Sequence, residues 1–139
     1  MQVYVPDLYD EAALHNLMSV VTTREAQGIY YIHDRAIRKV AQKGKLHARW
    51  AGATWLIDRH SLYQLWAANY REPDEYEMES ADIHAVLVSG EVTAMYGVAR
   101  RTMGLAWEAS KLMVRKSAGQ WLIDAACAER RWAHRRVMR

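Results

Sequence analysis

Hydrophobic side chains recur at helical spacing in the first half of the chain. Four of them follow the acidic residues after Pro6: Leu14, Leu17, Met18 and Val21. Their spacing predicts a first helix that begins near Pro6. A second helix is predicted before Gly44, because glycine is common just after a helix end. A third is predicted after Asp58, whose carboxylate can cap free backbone N–H groups. Short strands are predicted between the last two helices, over 45–50 and 53–57.

The second half of the chain has the pattern of extended strands joined by short turns. Glycines at or near the turns separate four predicted strands: 75–88, 92–101, 105–115 and 120–129. Helices followed by strands indicate an α+β protein, with the helices packed on one face of a strongly curved, mainly antiparallel sheet. The sequence shows no apparent internal repeat and no linker.

Length and composition fit one globular domain. The chain has 139 residues, of which 51% are hydrophobic. Its single cysteine, Cys127, excludes an internal disulfide and a cysteine-based zinc finger. No segment approaches the roughly 18 consecutive apolar residues of a membrane span, and the first residues lack a secretory pattern. We therefore expect a cytoplasmic protein without a membrane partner.

Positive charge is concentrated at the end of the chain. The last ten residues contain five arginines and no acidic residue, so the rest of the chain is slightly acidic. One hypothesis is a weak nucleic-acid binder that uses these arginines together with Trp132. The alternative is a solvated terminus, which is the commoner state of such a segment. We favour the second hypothesis and do not expect a nucleic-acid partner.

Two segments of the second half begin at a turn glycine. One is Gly90-Glu91-Val92-Thr93-Ala94-Met95-Tyr96-Gly97, and the other is Gly119-Gln120-Trp121-Leu122-Ile123. They resemble a strand start and the closing hairpin of the nuclear-transport-factor-2-like superfamily, in particular of its SnoaL-like branch. The resemblance implies a cystatin-like α+β barrel, a cone of bent sheet around a long helix with a pocket at its open end. It also implies a single domain over 1–130, followed by a basic tail over 131–139.

The resemblance further implies which residues line the pocket. If Trp121 packs outside the cone, alternation of strand faces points Arg100, Glu108 and Asp124 inward. Glu108 or Asp124 would then act as acid or base, with Tyr30 donating a hydrogen bond to a substrate oxygen. The ligand-binding residues implied are Tyr31, Arg49, Tyr96, Val98, Arg100, Ser110, Leu112 and Ala126. A structural ion pair at the rim of the cone stays open as an alternative for the charged residues.

These observations leave two main functional hypotheses. The first is a protein that binds a small apolar or amphipathic molecule in an internal, mainly apolar pocket; whether it also has lyase, isomerase or hydrolase chemistry is open. The second is a non-catalytic module that forms a homodimer through the outer sheet face. The residues of that face are Trp107, Lys111, Met113 and Trp121. No cofactor and no metal are expected, because Asp82 and His84 supply only two ligands.

Overall fold

A computed structural model describes residues 10–66 and 79–136 of the chain. The described residues form seven helices and six strands. In the first half these are α1 Glu11–Ser19, β1 Val20–Thr22, α2 Thr23–Tyr30, α3 Asp34–Gln42, β2 Ala48–Trp50, β3 Trp55–Asp58 and α4 Arg59–Trp66. In the second half they are β4 Val86–Val88, α5 Ser89–Tyr96, α6 Arg100–Glu108, β5 Val114–Ser117, β6 Gln120–Asp124 and α7 Ala125–Trp132, which a single 3₁₀ turn follows.

The strands form two small antiparallel sheets with the same topology. The first sheet has the order β1-β3-β2, and the second has the order β4-β6-β5. Their registers also match, since Val20 pairs with Asp58 in the first sheet and Val86 pairs with Asp124 in the second. Each half of the chain therefore folds as the same unit: strand, two helices, a β-hairpin and a final helix.

The two units are an internal repeat. Each residue of the first unit corresponds to a residue of the second unit at a constant distance along the sequence, as Val20 corresponds to Val86, and we call this distance the repeat offset. Strands β1 and β2 and all three helices of the first unit begin one such repeat offset before their counterparts in the second unit. Twelve of the residues from 20 to 66 are identical to the residue one repeat offset further on, without any gap. They are Val20, Glu25, Tyr30, Arg35, Lys45, Leu46, Arg49, Trp55, Leu56, Ile57, Asp58 and Trp66. The expectation that the chain has no repeat is wrong.

The local structure of the two units follows from equivalent residues. The helix after each hairpin begins at a buried aspartate: the Asp58 carboxylate accepts from the N–H of His60, and Asp124 accepts from that of Cys127. The first helix of each pair ends in the left-handed backbone region, at Tyr31 (φ 56°) and Gly97 (φ 65°). A residue in this conformation stops the helix and turns the chain toward the next one.

The units pack together through a shared core. The larger group of buried apolar side chains contains Leu17, Val20 and Leu56 from the first half of the chain. It also contains most of the buried side chains of the second unit, among them Val86 and Leu122. A smaller apolar cluster lies within the first unit alone, around α2, α3 and β3. The halves are consequently joined by apolar burial, which is the main stabilising contribution in a fold of this kind.

The α+β class is confirmed, and the strands β2 and β3 and the helices α3 and α4 lie close to where they were predicted. The first helix ends at Ser19, and Val20–Thr22 is a strand. Its predicted start near Pro6 lies outside the described residues. The predicted tail over 131–139 begins inside α7, which continues to Trp132. The described strands form no closed barrel, so the cone stays a prediction.

The predicted strands over 92–101 and 105–115 are wrong. Helix α5 and the start of α6 occupy most of 92–101, the end of α6 occupies 105–108, and a strand begins only at Val114. The buried side chains Val92 and Tyr96 are four residues apart, and Met103 and Ala106 are three apart. This is helical spacing, and packing of those side chains in the shared core outweighs the β-propensity of valine and tyrosine. Of the predicted strand over 75–88, only Val86–Val88 is a strand among the described residues.

Candidate nucleic-acid interface

The helices α2 and α3 form a helix–turn–helix with a three-residue connection. The backbone N–H of Tyr31 donates to the carbonyl of Gln27 (2.9 Å), which closes α2. The side chain of Gln27 in turn accepts from the N–H of Asp34 (3.1 Å), at the first residue of α3. The ring of His33 accepts from the N–H of Arg35 (3.1 Å) and caps α3. These bonds fix the direction of α3 relative to α2.

Helix α3 has one buried face and one cationic face. Ile37 and Ala41 are buried against the smaller apolar cluster. Three cations, Arg35, Arg38 and Lys39, lie exposed on the other side of the helix. Asp34 is the one acidic residue of the helix, and its carboxylate lies 3.8 Å from the Arg38 guanidinium. The result is a solvent-exposed row of cations along one face of α3.

Two shallow surface depressions lie along this cationic face. One of about 470 Å³ is lined by His33, Arg35, Ala36 and Lys39. The other, of about 410 Å³, adds Arg38 and Gln42. A third depression of about 290 Å³ lies where the first residues of α2 approach the second hairpin, and it is lined mainly by polar side chains, Thr22 and Ser117 among them. All three depressions are at the surface around the helix–turn–helix.

The second unit repeats the helix–turn–helix with a different surface. Helix α6 carries Arg100 and Arg101 exposed in its first turn. Further along the helix, Leu105 and Trp107 are exposed, at 55% and 37% of their surface. The Trp107 ring makes an edge contact with Trp121 at 5.7 Å between centroids. Helix α6 thus presents fewer cations and more apolar surface than α3 does.

Two arginines on the hairpins join the units in a reciprocal way. Arg49 in β2 donates to both carboxylate oxygens of Glu91, which lies in α5 of the second unit (2.6 and 2.9 Å). Arg115 in β5 donates to both carboxylate oxygens of Glu25, which lies in α2 of the first unit (2.9 Å each). Both pairs are bidentate and largely shielded from water, so they hold the two units in a defined geometry.

The three charged residues implied to point into the pocket occupy separate places. Arg100 and Glu108 are exposed at opposite ends of α6, about 12 Å apart along the helix axis. Asp124 is buried and caps α7. The structure does not bring them together around a pocket. Arg100 and Glu108 lie on a helix and not on strands, so the alternation of faces that placed them inward does not apply.

The aromatic and basic residues implied in the site have other surroundings. Tyr30 is fully buried in the smaller apolar cluster, whereas Tyr31 is 76% exposed in the turn before α3. Tyr96 is buried, and its hydroxyl donates to Glu129 (2.8 Å). Burial and the nearby Glu129 carboxylate raise the pKa of Tyr96 to about 12. Arg49 belongs to the cross-unit pair with Glu91.

The remaining four predicted ligand-binding residues are dispersed. Val98 and Leu112 are buried in the shared core. Ser110 follows α6 with a positive φ of 60°, and Ala126 is exposed on α7. Of the predicted outer sheet face, Met113 is fully buried and Trp107 lies on a helix. A homodimer through this face remains a prediction.

Sequence reasoning missed the cations of α3 and the partners of the cross-unit arginines. The signal that could have found them is the segment Trp-Leu-Ile-Asp, which occurs at 55–58 and again at 121–124. Alignment on this segment places Arg49 with Arg115 and Glu25 with Glu91. The same alignment marks Tyr30, Tyr96, Leu112 and Asp124 as residues shared by both units, which favours a role in the fold.

Other chemical sites receive no support from the described part of the chain. Cys127 is buried, and desolvation raises the pKa of its thiol to about 11, so it is not a reactive thiolate at neutral pH. No group of three or more His, Cys, Asp or Glu residues in 10–66 and 79–136 has the arrangement of a metal site. Over the same ranges, no helix combines the length and apolar character needed to cross a membrane.

Comparison with known proteins gives no relative for this chain. No family model, no curated protein and no solved structure matches it. The resemblance to the nuclear-transport-factor-2-like superfamily therefore stays a prediction, and function has to be argued from the geometry.

Proposed function

We propose that this chain binds double-stranded DNA through its helix–turn–helix units, with α3 as the main recognition helix. The observation that carries the proposal is the exposed row of Arg35, Arg38 and Lys39 on α3, which is the second helix of a helix–turn–helix with a three-residue connection. In DNA-binding proteins with this motif, the second helix lies in the major groove and its N-terminal residues contact base edges. An arginine in that place can donate two hydrogen bonds to guanine.

The charge around α3 suits a polyanionic partner. Six cations of the first unit are exposed on or near the helix–turn–helix: Arg24, Arg35, Arg38, Lys39, Lys43 and Lys45. The nearby carboxylate of Glu25 does not compete with DNA phosphates for these cations, because it is paired with Arg115. Each cation that contacts a phosphate releases a condensed counterion, so affinity for DNA should fall steeply with salt.

This proposal differs from the function inferred from the sequence. An apolar ligand in an internal pocket stays a prediction, but the three depressions described above are open and border on charged or polar side chains. The basic terminus gives a second possible source of nucleic-acid affinity. That hypothesis uses different cations, so substitutions can separate it from binding by α3.

The test measures DNA affinity by fluorescence anisotropy with a labelled duplex of mixed sequence, over a series of salt concentrations. The variant Arg35→Ala/Arg38→Ala/Lys39→Ala removes three charges from α3. The control Arg130→Ala/Arg131→Ala/Arg135→Ala removes three exposed charges from α7 and the turn after it. Deletion of the whole terminus would be a poor control, because Trp132 is buried against Tyr96.

We expect the α3 variant to lose most of its affinity and the control to lose little. In the α3 variant the slope of log K against log salt should become shallower by about 0.9 for each removed cation that contacts a phosphate, and so by at most about 2.7. Absence of DNA binding at low salt would overturn the proposal. Equal losses in the two variants would indicate a general charge effect and would overturn it as well.

A further inference from the structure

The cross-unit contacts follow a two-fold pattern in detail. The Nε of Arg49 donates to the carbonyl of Ile83 (2.7 Å), and its Nη2 donates to that of Val86 (2.5 Å). Arg115, one repeat offset further on, makes the same two bonds, to the carbonyls of Leu17 (2.5 Å) and Val20 (2.7 Å). In an interface with two-fold symmetry, residue i of one subunit contacts residue j of the other, and residue j of the first subunit contacts residue i of the second. The two units of this chain therefore pack as the two subunits of a symmetric dimer do.

The same pseudo-two-fold relation extends to the recognition helices. Helices α3 and α6 begin at equivalent positions, Asp34 and Arg100, and each follows an equivalent turn within its unit. A relation that superimposes one unit on the other therefore superimposes α3 on α6. Dimeric helix–turn–helix proteins bind two half-sites whose inverted order mirrors the two-fold axis of the protein.

The residues that the two units share on their surfaces are cations. Of the twelve identical pairs, only Arg35/Arg101 and Lys45/Lys111 are exposed at both positions. Arg35 and Arg101 are each the second residue of a recognition helix, where base contacts are made. Exposed side chains have no packing requirement to be the same in both units. A shared contact to DNA gives both units a reason to carry the same cation.

The neighbours of the shared arginines differ, so the two helices present different surfaces. Where α3 has Arg38 and Lys39, α6 has Gly104 and Leu105 at the equivalent positions. Both glycine and leucine lack the donors that arginine and lysine offer to guanine or phosphate. The half-site under α6 should therefore be read with fewer polar contacts than the one under α3.

We infer that a single chain binds one DNA duplex across two inverted and unlike half-sites, α3 on one and α6 on the other. The inference rests on the proposed function and adds its target. The two half-sites share the base preference that Arg35 and Arg101 set, and they differ in their other base preferences. Because buried ion pairs fix the geometry between the units, one spacing of the half-sites should be preferred over all others.

The experiment selects bound sequences from a pool of random duplexes with the full chain. Each duplex in the pool must be long enough to contain two half-sites that lie one helical turn of DNA, about 10.5 base pairs, or more from each other. Stoichiometry on the selected duplex is measured by analytical ultracentrifugation. Arg35→Ala and Arg101→Ala are then compared on duplexes mutated in one half-site at a time, with Arg131→Ala, exposed on α7, as the matched control.

We expect one chain per duplex and a motif with two inverted, unlike halves. Each arginine variant should lose about 5- to 150-fold in discrimination at one half-site only, and a different one for each variant. A motif with a single half-site, or two chains per duplex, would overturn the inference while leaving DNA binding by α3 intact. If no sequence is enriched because the chain does not bind DNA, the proposed function itself fails.

Discussion

The cross-unit arginine Arg115 should be among the most sensitive positions for stability. Its side chain is only 7% exposed and donates to both oxygens of Glu25 and to the carbonyls of Leu17 and Val20. Arg115→Met keeps most of the stem and removes all the donors. It leaves a carboxylate and two carbonyls without their charged partner in a largely dry interface. Breaking a buried pair in this way costs about 3–5 kcal/mol.

Urea unfolding followed by far-UV circular dichroism measures this loss. Arg49→Met should cost less, because the Arg49 side chain is 15% exposed and water can partly replace its bonds. Arg131→Met, on the exposed face of α7, is the control and should stay within about 0.5 kcal/mol of the wild type.

A double variant tests whether the loss comes from the stranded charge. Glu25→Gln added to Arg115→Met removes the uncompensated carboxylate, so the double variant should be less destabilised than the sum of the two single variants. If Arg115→Met lies within about 1 kcal/mol of the wild type, the pair does not hold the units together and the reasoning is refuted.

Three further outcomes follow from the described structure. Gly28→Ala, within α2, should stabilise the protein by up to about 1 kcal/mol, whereas Gly97→Ala, at φ 65°, should destabilise it by about 1–2 kcal/mol; the same sign for both in urea unfolding would contradict this. Cys127 should react with a thiol reagent at mildly alkaline pH far more slowly in the native protein than in denaturant, and comparable rates would show that it is accessible. The pKa of Tyr96 lies near 12 in the folded protein, above its usual value of about 10. The neutral phenol is the stabilised form, so its contribution is present below pH 10 and is lost as the pH rises toward 12. The alkaline loss of stability should therefore be smaller in Tyr96→Phe, and identical pH profiles would refute the assignment.

Elements with strong local signals could be predicted from the sequence. Asp58 caps α4 as expected, and α3 ends close to Gly44. Strands β2 and β3 lie between them within a few residues of the predicted ranges. In each case the deciding interaction is a cap or a turn within a few residues, which local sequence can specify.

The prediction of strands over 92–101 and 105–115 failed because the sequence signals in the second half of the chain conflict. Valine, tyrosine and the glycines that punctuate it are typical of strands and tight turns, and they predicted a meander. The buried face of α5 and α6 is set instead by packing in the shared core, which contains Tyr96 and Met103, and where the Tyr96 ring meets Trp132 of α7. Such contacts bring together residues far apart in the chain, so no local window could weigh them against β-propensity.

The residues of the predicted site lie in separate places for a related reason, which the repeat explains. Arg49, Tyr96 and Asp124 are polar or aromatic residues in strongly apolar surroundings, a combination that is typical of binding sites. The same combination arises where a duplicated unit needs one buried polar contact at a fixed place. Each of the three has an identical residue at the equivalent position of the other unit, and the cross-unit pair of Arg49 and the cap made by Asp124 have their counterparts there as well. A ligand site would require these groups once, around one substrate. Their occurrence in both units therefore favours structural roles, and it shifts the search for function to the exposed positions of α3 and α6.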